Sequence, residues 1–166
     1  RRLQESGVHV VAPLEAAAAD PMPGVIPVVP LSALAGGAAP ALPEGAERFA
    51  ARLDGTESDA AIASALAPGA PAARSPVFAL LDPEDQASRM HASRRVFEAL
   101  KGVGSRVPVI HHVRFSAQDA ERDAVVIATG SRVGGLLVDG LGDGVMIEAP
   151  GMDLDFLRTT SFGLLQ

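Results

Sequence analysis

Gly134-Gly135-Leu136-Leu137-Val138-Asp139-Gly140-Leu141-Gly142-Asp143-Gly144, running into Val145-Met146-Ile147-Glu148-Ala149, is the stretch from which the fold is read. Six glycines fall between Gly130 and Gly144, and glycine is used where a backbone takes φ > 0 or approaches something closely. Asp139 and Asp143 alternate with them, as in tight Asp-Gly turns. This favours a turn that feeds a buried strand. A phosphate-holding nest of backbone N–H groups and an aspartate-rich cation loop are the alternatives. The loop lacks the Lys-Ser/Thr ending of a P-loop and is too short for an EF-hand.

Working outward, Val145 to Ala149 is the last strand, and Asp153 caps a final helix with Leu154, Leu157, Ser161 and Leu164 or Leu165 on one face. Residues 131–139 read as helix or strand, and Val125-Val-Ile-Ala-Thr129 as a strand. Val107 to Phe115 is a strand in which Val107, Val109, His111, Val113 and Phe115 share one face, and Ile110, His112 and Arg114 the other. The His111-His112 pair therefore does not present two ligands to one metal.

Before it, Asp82-Pro83 reads as N-cap and first residue of a helix running to about Lys101. Ala87, Met90, Phe97 and Leu100 form its apolar stripe, with Ser93 on the same face and His91 a packed or surface histidine. Val8 to Ala12, Val25 to Val29, Phe49 to Leu53 and Val77 to Leu81 are earlier strands, the second an edge strand or one interrupted at Pro27. Arg1 to Ser6 reads as a helix end, Leu31 to Ala35 as one helical turn, and Ser58 to Leu66 as a helix. Strands joined through helices form parallel sheets. An open doubly wound sheet and a closed barrel both fit this order.

Composition narrows the function. The 166 residues suit one α/β domain with a real core. A net charge of −6 argues against nucleic acid. The uncharged stretch Pro21 to Pro43 is long enough for a membrane span, but its prolines break the helical ladder that lipid demands, so a soluble, cytoplasmic protein is expected. Without cysteine there is no disulfide, no thiolate nucleophile and no cysteine-held cluster.

Gly134 to Pro150, with Asp155-Phe-Leu-Arg-Thr-Thr-Ser-Phe-Gly-Leu-Leu-Gln166 after it, resembles the end of the inserted middle domain of the large, three-domain 4-hydroxy-3-methylbut-2-enyl diphosphate synthases of plants and some bacteria. Val107 to Phe115 and Arg89 to Phe97 resemble the same domain in the same order, Gly7 to Leu14 and Leu42 to Gly45 more weakly, and the Ala/Pro-rich region from Thr56 to Arg74 poorly.

The resemblance implies a TIM-barrel-like fold, here an incomplete, C-terminal part of an inserted second barrel. It makes residues 131–139 the penultimate helix. It places the opening barrel units outside this chain, and an iron–sulfur domain beyond Gln166. The resembled parent reductively converts 2-C-methyl-D-erythritol 2,4-cyclodiphosphate in isoprenoid synthesis, with a [4Fe–4S] cluster fed by ferredoxin or flavodoxin. In the family's substrate barrel the last strand carries an arginine and a serine that hold diphosphate. Met146 and Glu148 stand at those positions here, and a carboxylate repels a phosphate.

The resemblance thus implies a non-catalytic interdomain module, with no catalytic, cofactor-binding or metal residue expected in this chain. Functional groups of a barrel gather at the carboxyl ends of its strands, which here offer Arg52, Asp54, Asp82, His112, Arg114 and Glu148. The favoured reading is that they pair with one another as a polar plug. The alternatives are a phosphate-binding or regulatory barrel using Arg52, His112 and Arg114, and Mg²⁺ held by Asp143 and Glu148.

Overall fold

Six parallel strands lie side by side in the computed structural model, which describes residues 9–34, 40–70, 75–83, 88–118 and 121–166. They are β1 (Val10–Pro13), β2 (Val25–Pro30), β3 (Ala50–Leu53), β4 (Ala79–Leu81), β5 (Val109–Arg114) and β6 (Gly144–Glu148). Their order in the sheet is their order in the chain. Between and after them run α1 (Leu14–Ala19), a 3-10 turn (Leu31–Ala33), α2 (Asp59–Leu66), α3 (Arg89–Gly102), α4 (Arg122–Thr129), α5 (Gly135–Val138) and α6 (Leu154–Leu164).

The strand order settles the choice the sequence left open. A doubly wound sheet must reverse its order to put helices on both faces. With right-handed crossovers and no reversal, every helix falls on the same face. The core agrees: Val29, Ala51, Leu53, Ala79, Leu81 and Val109 pack with Ile62 of α2 and Val96 and Leu100 of α3. A sheet covered on one face curls around the other, giving the half-barrel expected. Among the described residues β1 pairs only with β2, and β6 only with β5.

Pro27 lies within a continuous strand that has neighbours on both sides. Pairing of β2 with β3 begins at Val28↔Ala50, so Pro27 sits where only β1 flanks it. Its missing donor therefore falls in a locally edge-like position.

Two expected elements differ. Val125–Thr129 is helical, and α4 passes through one π-helical turn (Gly130–Gly134) into α5. Its β-branched residues suggested a strand, yet Val125, Thr129, Val133 and Leu136 are all buried, a spacing of three to four that belongs to a helix face. Residues 131–139 are thus the helix that the resemblance implied. The helix expected from Asp82-Pro83 instead begins at Arg89, where the Ser88 hydroxyl accepts the His91 N–H at 3.3 Å. Ala87 lies outside the described residues, as does the helix end expected before Gly7.

Asp153 caps α6, accepting the Phe156 N–H at 3.0 Å. The inward stripe is Phe156, Leu157, Thr160, Ser161 and Leu164, whereas Leu154 is 71% exposed. The expected apolar face was therefore one residue too wide at its start.

Candidate functional site

Side chains on the concave face come from the positions between the core residues: Arg52 on β3, Ile110, His112 and Arg114 on β5, Met146 and Glu148 on β6. Asp82 directly follows β4 and shares the parity of Leu80. The register pairs Leu81 with His111 and Arg114 with Glu148, so these groups gather at the carboxyl rim of four adjacent strands.

Asp82 is the centre. Its side chain is fully buried, and its Oδ2 lies 2.7 Å from Arg114 Nη2 and accepts from Arg114 Nε at 2.8 Å. Arg52 stands at 3.8 Å, Arg89 at 4.0 Å and His112 Nδ1 at 3.7 Å from its oxygens. On the other side of the imidazole, His112 Nε2 is 3.2 Å from Glu148 Oε2. The polar plug read from the sequence is therefore what Arg52, Asp82, His112, Arg114 and Glu148 form.

Asp54 does not join it. Its Oδ1 accepts the Thr56 N–H at 2.8 Å and the Thr56 hydroxyl at 2.5 Å, while Glu57 takes the Asp54 and Gly55 N–H groups. The Thr56 hydroxyl bond holds the Asp54 carboxyl below its ordinary value. Asp143 and Glu148 share no cation site. Asp143 directly precedes β6 and Glu148 ends it, roughly 16 Å apart at ~3.3 Å per residue, and Asp143 Oδ2 instead accepts the Val109 N–H at 2.8 Å.

Two side chains have contacts that the sequence reading did not assign. Arg89 is the first residue of α3, where the helix dipole disfavours a cation. With the helix expected to start at Asp82-Pro83 this position was not legible as a helix start, and Asp82 explains the cation there; Arg89 also donates to the carbonyl oxygen of His112. The other is His111, fully buried on the helix side of β5, 2.6 Å through Nε2 from the Leu141 carbonyl oxygen. Gly140 and Gly142 have φ of 71° and 143°, and they fold the loop onto this ring. The glycine-rich stretch is thus the turn that feeds β6, with Asp139 paired to Arg94 of α3.

Burial pushes both imidazoles below their ordinary value of 6.5. For His111 the Leu141 carbonyl opposes the shift, the Arg89 charge adds to it and Asp143 opposes it. For His112, Asp82 and Glu148 oppose burial and Arg114 assists it. Between the folded and unfolded values the unfolded chain binds more protons, so stability falls as the pH drops below about 6.5 and is flat above it. In urea titrations between pH 7.5 and 5, each histidine adds a slope of up to about 1.4 kcal/mol per pH unit. His112→Gln should remove one of the two contributions; an unchanged slope would mean that His112 charges freely in the folded state.

Chemically, this is a closed network. Each carboxylate already faces a cation or an imidazole, and burial disfavours the charged form of that imidazole. Among the described residues no three His, Asp or Glu side chains converge as a metal site would need, and no helix is long and apolar enough to cross a membrane.

Comparison with known proteins gives matches along the whole chain. It is 44% identical over 176 residues to the chloroplastic 4-hydroxy-3-methylbut-2-en-1-yl diphosphate synthase (ferredoxin) of Arabidopsis thaliana, covering 100% of this chain and 22% of the relative. The corresponding chloroplastic protein of Oryza sativa subsp. japonica is 41% identical over 166 residues, with the same coverage. A synthase of Protochlamydia amoebophila, named with flavodoxin, is 40% identical over 91 residues, 55% of this chain and 13% of the relative. The chain thus spans about a fifth of the length of the plant relatives it matches. No family model matches it, and no solved structure is similar to it. The resemblance read in the sequence holds, and it reaches beyond the region from Arg89 onward to the entire chain.

Proposed function

We propose that this chain, similar over its whole length to a segment of those diphosphate synthases, is a non-catalytic interdomain module of such an enzyme. The parent would reductively convert 2-C-methyl-D-erythritol 2,4-cyclodiphosphate to 4-hydroxy-3-methylbut-2-enyl diphosphate in isoprenoid biosynthesis. Its partners would be the substrate barrel and iron–sulfur domain of the same parent chain, with ferredoxin or flavodoxin as electron donor. The setting we propose is cytoplasmic. The module would be part of an inserted second barrel that holds the other domains in place.

The observation that carries this reading is that the rim's arginines converge on a carboxylate of the chain itself. A substrate barrel keeps cations at the strand ends for its ligand; here Arg52, Arg89 and Arg114 turn toward the buried Asp82. Glu148, half-exposed on the same face, would repel a diphosphate. The chain has no cysteine, so its residues do not fit a [4Fe–4S] cluster. In this reading the cluster belongs to another domain.

The test is thermal unfolding of the protein with and without the cyclodiphosphate at millimolar concentration. An unmoved cooperative transition is expected. A ligand at 100 times its dissociation constant would add roughly 2.7 kcal/mol. Such an upward shift would replace this reading with a phosphate-binding barrel using Arg52, His112 and Arg114.

A further inference from the structure

Beneath the rim, on the opposite face of β5, two buried polar atoms have no protein partner among the described residues: Ser93 Oγ and His111 Nδ1. Both residues are fully buried. A polar atom left unsatisfied in the core costs about 1–3 kcal/mol, and natural interiors resolve such atoms with protein groups or ordered water.

The two atoms occupy one neighbourhood. On α3, Arg89, Ser93 and Phe97 follow one another at four-residue intervals and so share a stripe, each about 6 Å along the axis from the next. The His111 ring feels the charge of Arg89 at one end of that stripe. It meets the Phe97 ring at the other, with centroids 5.9 Å apart. Ser93 is the residue between them.

Their chemistry is complementary. The 2.6 Å contact of His111 Nε2 with a carbonyl oxygen requires that Nε2 carry the proton. Nδ1 of the neutral ring is then a lone-pair acceptor, and the Ser93 hydroxyl is a donor. The loop side of the ring is closed, because a Cβ at Gly142 would already lie 2.7 Å from its Cδ2 and Nε2. Any further partner must approach from α3.

We propose that one internal water molecule is bound between α3 and β5, accepting from Ser93 Oγ and donating to His111 Nδ1. This water fixes the histidine tautomer. It thereby holds the Leu141 carbonyl, and with it the loop that launches β6. Ser93 is a positioning residue in this arrangement, which explains a fully buried hydroxyl between Arg89 and Phe97 on that stripe.

The experiment pairs a high-resolution crystal structure of the protein with long-range ¹H–¹⁵N spectra of its histidines. The expected result is a single ordered water within hydrogen-bond distance of both atoms. The His111 ring should show the Nε2–H pattern, and its Nδ1 resonance should lie upfield of a free imine nitrogen. Ser93→Ala should keep the fold, move that resonance downfield and leave the His112 resonances in place. A dry gap, a direct Ser93–His111 bond after side-chain rotation, or an Nδ1 resonance that Ser93→Ala leaves unmoved would each overturn the proposal.

Discussion

Asp82→Asn is expected to destabilise the protein by about 3–5 kcal/mol, the usual cost of removing one partner from a buried ion pair. The substitution preserves shape and one carbonyl acceptor, so the loss isolates charge. Asp82 is 1% exposed, and among the described residues its carboxylate faces Arg52, Arg89 and Arg114 together. Neutralised, it no longer offers a negative charge to the three guanidiniums that approach its buried oxygens. Repulsion among the guanidiniums should splay the carboxyl ends of β3, β4 and β5.

Equilibrium urea denaturation of the two proteins at pH 7 measures the difference. A cost below about 1 kcal/mol, the range of surface pairs, would show that water already screens the network and that the rim is open. Arg52→Gln offers an internal contrast. The Arg52 side chain is 44% exposed and 3.8 Å from Asp82, so it should cost no more than about 1 kcal/mol.

The second large effect belongs to the glycine loop. Gly142→Ala should cost at least about 3 kcal/mol, combining a disfavoured backbone conformation with overpacking. At φ 143° an L side chain is strained. The added Cβ would also stand 2.7 Å from two atoms of the His111 ring and 3.2 Å from a Leu137 methyl group. The ring cannot retreat cheaply, since it is fully buried and held to the Leu141 carbonyl. Gly140→Ala is the comparison: φ is 71°, but nothing lies within 4 Å of the new Cβ, so only the conformational part, about 1 kcal/mol, should appear. Thermal melts of the two variants separate these contributions. Equal losses would mean that the contact with His111 carries no weight.

Much of this architecture was legible because it rests on short-range physics. The alternation along Val109–Arg114 assigned each side chain to its face, and burial follows it: Val109, His111 and Val113 inside, the others intermediate. Asp153 marked a helix start by its capping chemistry, and its side chain accepts the expected N–H; Ser58, read as the first residue of its helix, is the N-cap there. The rim residues were nameable because a strand of known parity and direction delivers its last side chains to a known place.

What misled were residues whose local preference was outweighed. Val125–Thr129 has strand-like composition, but its partners Val133 and Leu136 lie beyond Gly130, and only their shared burial makes a helix the cheaper state. Asp82 was expected to open the helix because Asp-Pro often does, whereas Ser88 caps α3. Three arginines that arrive from 30 residues before and from 7 and 32 residues after it in the chain meet at its carboxylate.

The sequence alone determined most of the strands and helices, the two faces of β5 and the absence of thiolate chemistry, because these depend on backbone period and residue type. Tertiary structure alone decided that the helices share one face, that Asp82 is shared among several cations, and that His111 locks the turn before β6. Each of these depends on which distant segments become neighbours, and burial then sets the strength of the charges that meet there.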